Sequence, residues 1–343
     1  MKRSSLLIAA LLLWAVACDA GSGERKSVDS APSAKAKPPV SVDEAQRVLK
    51  ALDKKDDSDS LSPSYWRSIQ EGPWLDRTLA RIDSIKARGR DESQNPTNRP
   101  HVDPAVRAWV AMPDTAGAGS WILGAQQVSS YAIGGEFKNT VSMRWSLIHR
   151  ADDGGAWRTA FTADAPSKED VPQIAVDGNG TAQIVAPNAH LAVQPGKACG
   201  AYFDYVTRKS ADEHLRWSSQ IDTYRATYGQ TKPIREQLGN AESVNIQTKA
   251  QRAPVGPAWQ TKDGGALVAC VDVNTVTADM GPGRWLKLTT SGWDGTTGIR
   301  WNKFTQTMMQ MTILKVPAGS SDISIAAQST WPYKFDGTEY SEH

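Results

Sequence analysis

Five histidines, three cysteines and a spaced row of tryptophans are the side chains here whose types could carry chemistry, and their spacing decides how much. His101, His149, His190, His214 and His343 include no pair four residues apart, so no helical face presents two imidazoles to a metal. His149, in a strand-like stretch, comes nearest to a ligand and reads as an ordinary strand histidine. The sequence has no His-Glu-x-x-His, no Gly-x-Ser-x-Gly elbow, no Ser-x-x-Lys and no phosphate-cradling glycine loop followed by lysine. No catalytic residue, metal site or cofactor is therefore expected. Trp285, Trp293 and Trp301 recur every eight residues. Exposed in a row, they would stack on the sugars of a cell-wall glycan; turned inward, they would fill the core of an antiparallel sheet.

The cysteines bear on location. Lys2 and Arg3 precede 12 apolar residues, Leu6 to Ala17, a run shorter than the roughly 20 needed to span a bilayer. A basic head, a short apolar run and small residues at its end mark a secretory signal over residues 1–17. Ala15-Val16-Ala17-Cys18 resembles a bacterial lipobox, departing from it at Ala15, where leucine is usual. That resemblance implies a diacylglycerol on the Cys18 thiol and cleavage that leaves this residue first. Ordinary cleavage after Ala15-Val16-Ala17 is the other outcome. Residues 18–41 are rich in Ser, Ala, Lys and Pro and read as a flexible tether. The expected address is the outer face of the cytoplasmic membrane, with membrane lipid as a partner through Cys18. Export also places the chain where disulfides persist. With Cys18 lipidated, Cys199 and Cys270 are the remaining thiols, and a bond between them is expected to tie a helix to a strand.

Composition narrows the partners. Apolar content of 40% and charged content of 22% are those of a globular protein. Removing Lys2 and Arg3 from 39 basic residues leaves 37, against 37 acidic ones. A formally neutral mature chain argues against a broad nucleic-acid surface, so no nucleic acid is expected.

The elements that would position these residues come in two series. Val42, Ala45, Val48, Leu49 and Leu52 share a helical face, and Ser41 with Glu44 forms a capping box. A short helix follows at Pro63, and a third carries Leu75, Leu79, Ile82 and Lys86 on one stripe. Beyond Asp103 the period becomes two. In TVSMRWSLIHR, Val141, Met143, Trp145 and Leu147 alternate with Ser142, Arg144 and Ser146, which predicts a sheet with one buried face. PQIAVDGNGTAQIVA predicts a hairpin turning at Gly178-Asn179-Gly180. Helices then return near residues 195–240, and strands again from SVNIQTKAQR onward. The expectation is two tandem α+β units, 42–190 and 191–343, each with helices first and an antiparallel sheet after.

That order resembles the NTF2-like fold, in which helices pack into a curved antiparallel sheet. On Gly72-Pro73-Trp74-Leu75, the Ile174–Gly180 turn and Thr261–Val268 the chain is similar to a group of uncharacterised secreted lipoproteins of actinobacteria. The NTF2-like resemblance implies a ligand cone between helix and sheet, with Asp204 facing it beside Tyr202, Tyr205 and Tyr224. Asp204 would otherwise be an exposed helix carboxylate. Three functions follow as expectations. The first is a non-enzymatic lipoprotein binding a ligand or an envelope partner; the others are a pocket enzyme acting on a small molecule or wall fragment, and an envelope assembly protein.

Overall fold

Strands buried on both faces set the architecture. The computed structural model describes residues 40–87, 101–111, 119–130, 140–151, 155–165, 172–208, 214–231, 235–287 and 299–341, apart from isolated positions within these ranges. The first strands are β1 (His101–Ala111), β2 (Ser120–Ser130), β3 (Thr140–Arg150) and β4 (Arg158–Ala165), paired antiparallel in the order β1-β2-β3-β4. On β3, Met143, Trp145 and Leu147 face one way and are buried as the alternation predicts. Ser146 and Ile148 point the other way and are buried too.

The second sheet runs β10-β9-β7-β5, from β5 (Ser243–Ala250), β7 (Ala266–Asp279), β9 (Arg300–Val316) and β10 (Ser324–Glu339). Short pieces β6 (Trp259–Gln260) and β8 (Leu286–Lys287) pair with β7 and β9. Leu267, Ala269 and Val271 of β7 and Met309, Met311 and Ile313 of β9 join Leu123, Trp145, Leu147 and Phe161 of the first sheet in one core. The other face, with Val268, Cys270 and Leu314, packs under α4 (Pro195–Val206) and α5 (Ser219–Thr227). The first sheet's outer face, through Val110, Ile122 and Ile148, packs against α1 (Val42–Asp56), α2 (Pro63–Ile69) and α3 (Gly72–Ala87).

The expected tandem NTF2-like units are therefore not what forms. Two antiparallel sheets face each other across a shared core, and each carries its helices on the outside. Residues 37–343 make one compact unit. The physical reason lies in the second faces of the strands, which keep enough apolar residues to be covered by helices while the first faces meet each other.

Locally the sequence is obeyed. The Glu44 amide donates to Ser41 Oγ at 3.2 Å, and Ala45, Leu49 and Leu52 of α1 are buried, whereas Val42 stays 41% exposed. Gly124 on β2 lets α1 approach; a Cβ there would lie 2.4 Å from Leu49 Cδ2. The turn after Ile174 forms with Asp177 Oδ1 accepting the Asn179 and Thr181 amides. β10 is an edge strand whose pairing with β9 slips at Ile325/Ala327, Pro332/Lys334 and Thr338/Glu339. At the first sheet's far edge, Gln70 bridges Thr159 of β4.

Candidate functional site

On the outer face of the first sheet, the residues between the apolar contacts are polar: Gln126 of β2, Arg144 and Ser146 of β3, Thr159 and Thr162 of β4. Helix α1 lays Asp53 and Asp56, one turn apart, over this stripe, and Leu49, Leu52 and Trp74 wall it. The result is a half-open cleft of about 330 Å³, its mouth included, narrowing to an enclosed recess of about 20 Å³. That recess has room for about one water-sized group.

Charges line it in opposition. Arg144 Nε donates to Asp164 Oδ1 at 3.0 Å. Gln70 Nε2 and Trp74 Nε1 both donate to Asp56 Oδ1, the second at 3.4 Å. Burial pushes the Asp56 carboxyl above its ordinary value, against the downward pull of Gln70, Arg77, Trp74 and Arg144. Among the described residues, Gln70 Oε1 and Thr162 Oγ1 are buried without a hydrogen-bond partner. Near the same helices, His149 Nδ1 lies 2.5 Å from Glu71 Oε1, and its ring stacks on Trp121 at 4.3 Å. His149 thus ties the α2–α3 junction to β3.

A second polar group lies beneath α5, on the outer face of the second sheet. Asp272 of β7 is wholly covered, and burial raises its carboxyl to about 7. Tyr228 Oη reaches Asp272 Oδ2 at 2.8 Å and Asn274 Oδ1 at 2.9 Å, and Thr248 Oγ1 donates to Asn274 Oδ1 at 2.7 Å. Tyr224 Oη donates to Gln310 Oε1 at 2.6 Å, and Gln328 Nε2 reaches Tyr202 Oη at 3.3 Å. Burial drives the hydroxyls of Tyr202, Tyr224 and Tyr228 well above the ordinary tyrosine range. With Asp272 fully enclosed, this network has no route to a substrate as it stands.

Two of the four residues expected to line a pocket are in that network, Tyr202 and Tyr224. Asp204 lies apart, bound by Arg252 through Nη2 at 2.7 Å. Tyr205 is also elsewhere, donating to Asp222 at 2.5 Å and stacked on Trp217 at 4.8 Å. Cys199 and Cys270 form a disulfide with Cα atoms 5.4 Å apart, joining α4 to β7 as expected. Trp301 is buried at 4% exposure against Phe335, while Trp285 is 40% exposed under the Arg300 guanidinium at 4.5 Å. Trp293, Cys18, the signal peptide and all but the last two residues of the tether lie outside the described residues.

Sequence reading passes over Asp53, Asp56, Gln70, Arg144 and Thr162, which come from four separate segments. It also passes over Asp272, although an acid between Val271 and Val273 in an apolar run signals a buried carboxyl.

Fold and site together define a disulfide-bonded, two-sheet α+β protein with a polar cleft on one outer face. A family model described as Domain of unknown function (DUF8094) matches residues 36–331, and the chain belongs to that family. No curated protein and no solved structure matches it.

Proposed function

We propose that the chain is an exported lipoprotein, tethered at the outer face of the cytoplasmic membrane through Cys18, that works by non-covalent binding to a ligand or envelope partner. The observation that carries this reading is the Cys199–Cys270 bond, fully buried between α4 and β7. Such a bond belongs to an oxidising compartment, the destination written in the basic head and apolar run before Cys18. The family match begins at residue 36, leaving the leader and most of the tether ahead of it. Binding is favoured by the cleft, where charged and polar groups from α1, β2, β3 and β4 converge on a half-open space.

The test is Cys18→Ala expressed in a host with lipoprotein processing. Wild type is expected in the membrane fraction, resistant to carbonate extraction and labelled by a fatty-acid probe. The variant is expected unlabelled and released as folded protein. A variant that still sediments with membranes and resists carbonate would refute the anchor.

A further inference from the structure

We infer that the cleft between α1 and the first sheet binds the hydroxyl groups of a neutral sugar. The inference deepens the binding reading above and rests on it for the presence of a ligand, though not for the address.

Charge balance points to a neutral ligand. Two carboxylates on α1, Asp53 and Asp56, are joined by Asp164, and the guanidiniums of Arg144 and Arg77 act against them. Burial biases Asp56 toward its neutral acid, so the lining carries little net charge. An anion entering would meet the α1 carboxylates, and a cation would meet Arg144. A hydroxyl donates and accepts at once, and the lining offers both roles: carboxylate acceptors, and donors in Arg144, Gln126, Ser146 and Thr162.

Size and an unmatched atom locate the contact. Thr162 is 5% exposed and lines the cleft, and its hydroxyl is buried without a partner among the described residues. A buried hydroxyl left unmatched costs stability, and a ligand oxygen in the recess would match it. The recess admits one oxygen-sized group while the wider mouth admits the ring that bears it. No bond is made or broken, since the site needs only to hold its ligand.

The test uses full-length protein carrying isotope-labelled threonine methyl groups, titrated with N-acetylglucosamine, glycerol, acetate and methylammonium. Millimolar sugar is expected to shift the Thr162 methyl resonance saturably, with glycerol weaker and the two ions ineffective. Thr162→Val and Asp53→Asn, both close in shape to the native residue, are each expected to weaken sugar binding by about tenfold, the equivalent of one hydrogen bond. Ligand-observed saturation transfer reads this in the variants, and Asp53→Asn keeps the test decisive should Thr162→Val misfold. A soluble wall oligosaccharide that competes at the same site would identify a glycan chain end as the source; a monosaccharide that binds alone would identify a free sugar. The inference fails if no sugar shifts the resonance, if acetate or methylammonium binds as well, or if both variants bind as wild type does. Failure here leaves the Cys18 anchor standing, and failure of the anchor leaves the sugar site standing.

Discussion

Asp272 of β7 and Gln310 of β9 stand opposite each other in the antiparallel register, and each buries one polar atom, Asp272 Oδ1 and Gln310 Nε2, without a partner among the described residues. The pair sits on the outer face of the second sheet beneath α5, where Tyr224 and Tyr228 reach down to it. A carboxyl with no cation at hand in that setting resists ionisation, and its folded value rises from 3.8 to about 7.

The sign follows from linkage. Between about pH 4 and 7 the unfolded chain gives up this proton and the folded chain keeps it, so Asp272 erodes stability as pH rises through that window. The loss is complete above it, at roughly 4 kcal/mol from about 1.4 kcal/mol per pH unit. Asp272→Asn preserves the shape without the charge. It is expected to raise the urea midpoint at pH 8 and to converge on wild type near pH 4. Parallel curves for the two proteins across pH 4 to 8 would show that Asp272 ionises normally.

The disulfide closes a loop between residues 71 apart in sequence. On the chain-entropy model its removal costs about 4 kcal/mol. The sequence alone suggests that only the second half would respond to reductant. The shared core changes that expectation, because Leu267 and Met311 pack with Trp145 and Phe161 of the other sheet. Cys199→Ala/Cys270→Ala is expected to lower the melting temperature in one transition seen equally by near- and far-ultraviolet circular dichroism. Two separated transitions would show that the sheets unfold independently.

Two tryptophans sixteen residues apart are expected to behave oppositely. Trp301 is packed against Phe335 at a ring separation of 5.0 Å, so Trp301→Ala is expected to cost about 3–5 kcal/mol. Trp285 is largely at the surface, and Trp285→Ala is expected to stay within about 1 kcal/mol. Denaturant melts decide it, and equal losses would contradict the burial difference.

Gly124 serves the close approach of α1 to β2. Gly124→Ala is expected to destabilise by about 1–3 kcal/mol through overpacking on Leu49. Combining it with Leu49→Ala is expected to cost less than the sum of the two, a coupling that a double-mutant cycle measures. Strict additivity would mean that the two side chains do not meet.

Much of the local structure is legible in the sequence. The capping box, the buried face of α1, the Asp177 turn and the disulfide partners all follow from short-range rules. The third helix is read one position off: Trp74, Thr78, Ile82 and Ile85 are its buried stripe, while Leu75 and Leu79 are only half-buried. A half-buried leucine and a buried threonine look alike to a pattern that scores only polarity. The architecture is lost for a related reason. Arg144 and Ser146 read as a solvent face, yet they floor a cleft under α1, and polar residues covered by a helix have the same alternation as polar residues facing water. The site suffers most, since Asp53, Gln70, Arg144 and Thr162 are brought together only by tertiary packing. Tyr202 and Tyr224 are found by composition alone, without the acid they surround.

The irregular pairing along β10 has a further consequence. A 16-residue strand at the rim of a sheet is an open template on which a second chain could lengthen the sheet without limit. Three slips in register break that template into short lengths, and Pro332 removes one donor from the middle of it. Gln70 and α3 shield β4 at the rim of the other sheet. For a protein that would share a crowded surface with many copies of itself, these interruptions keep each copy from polymerising with the next.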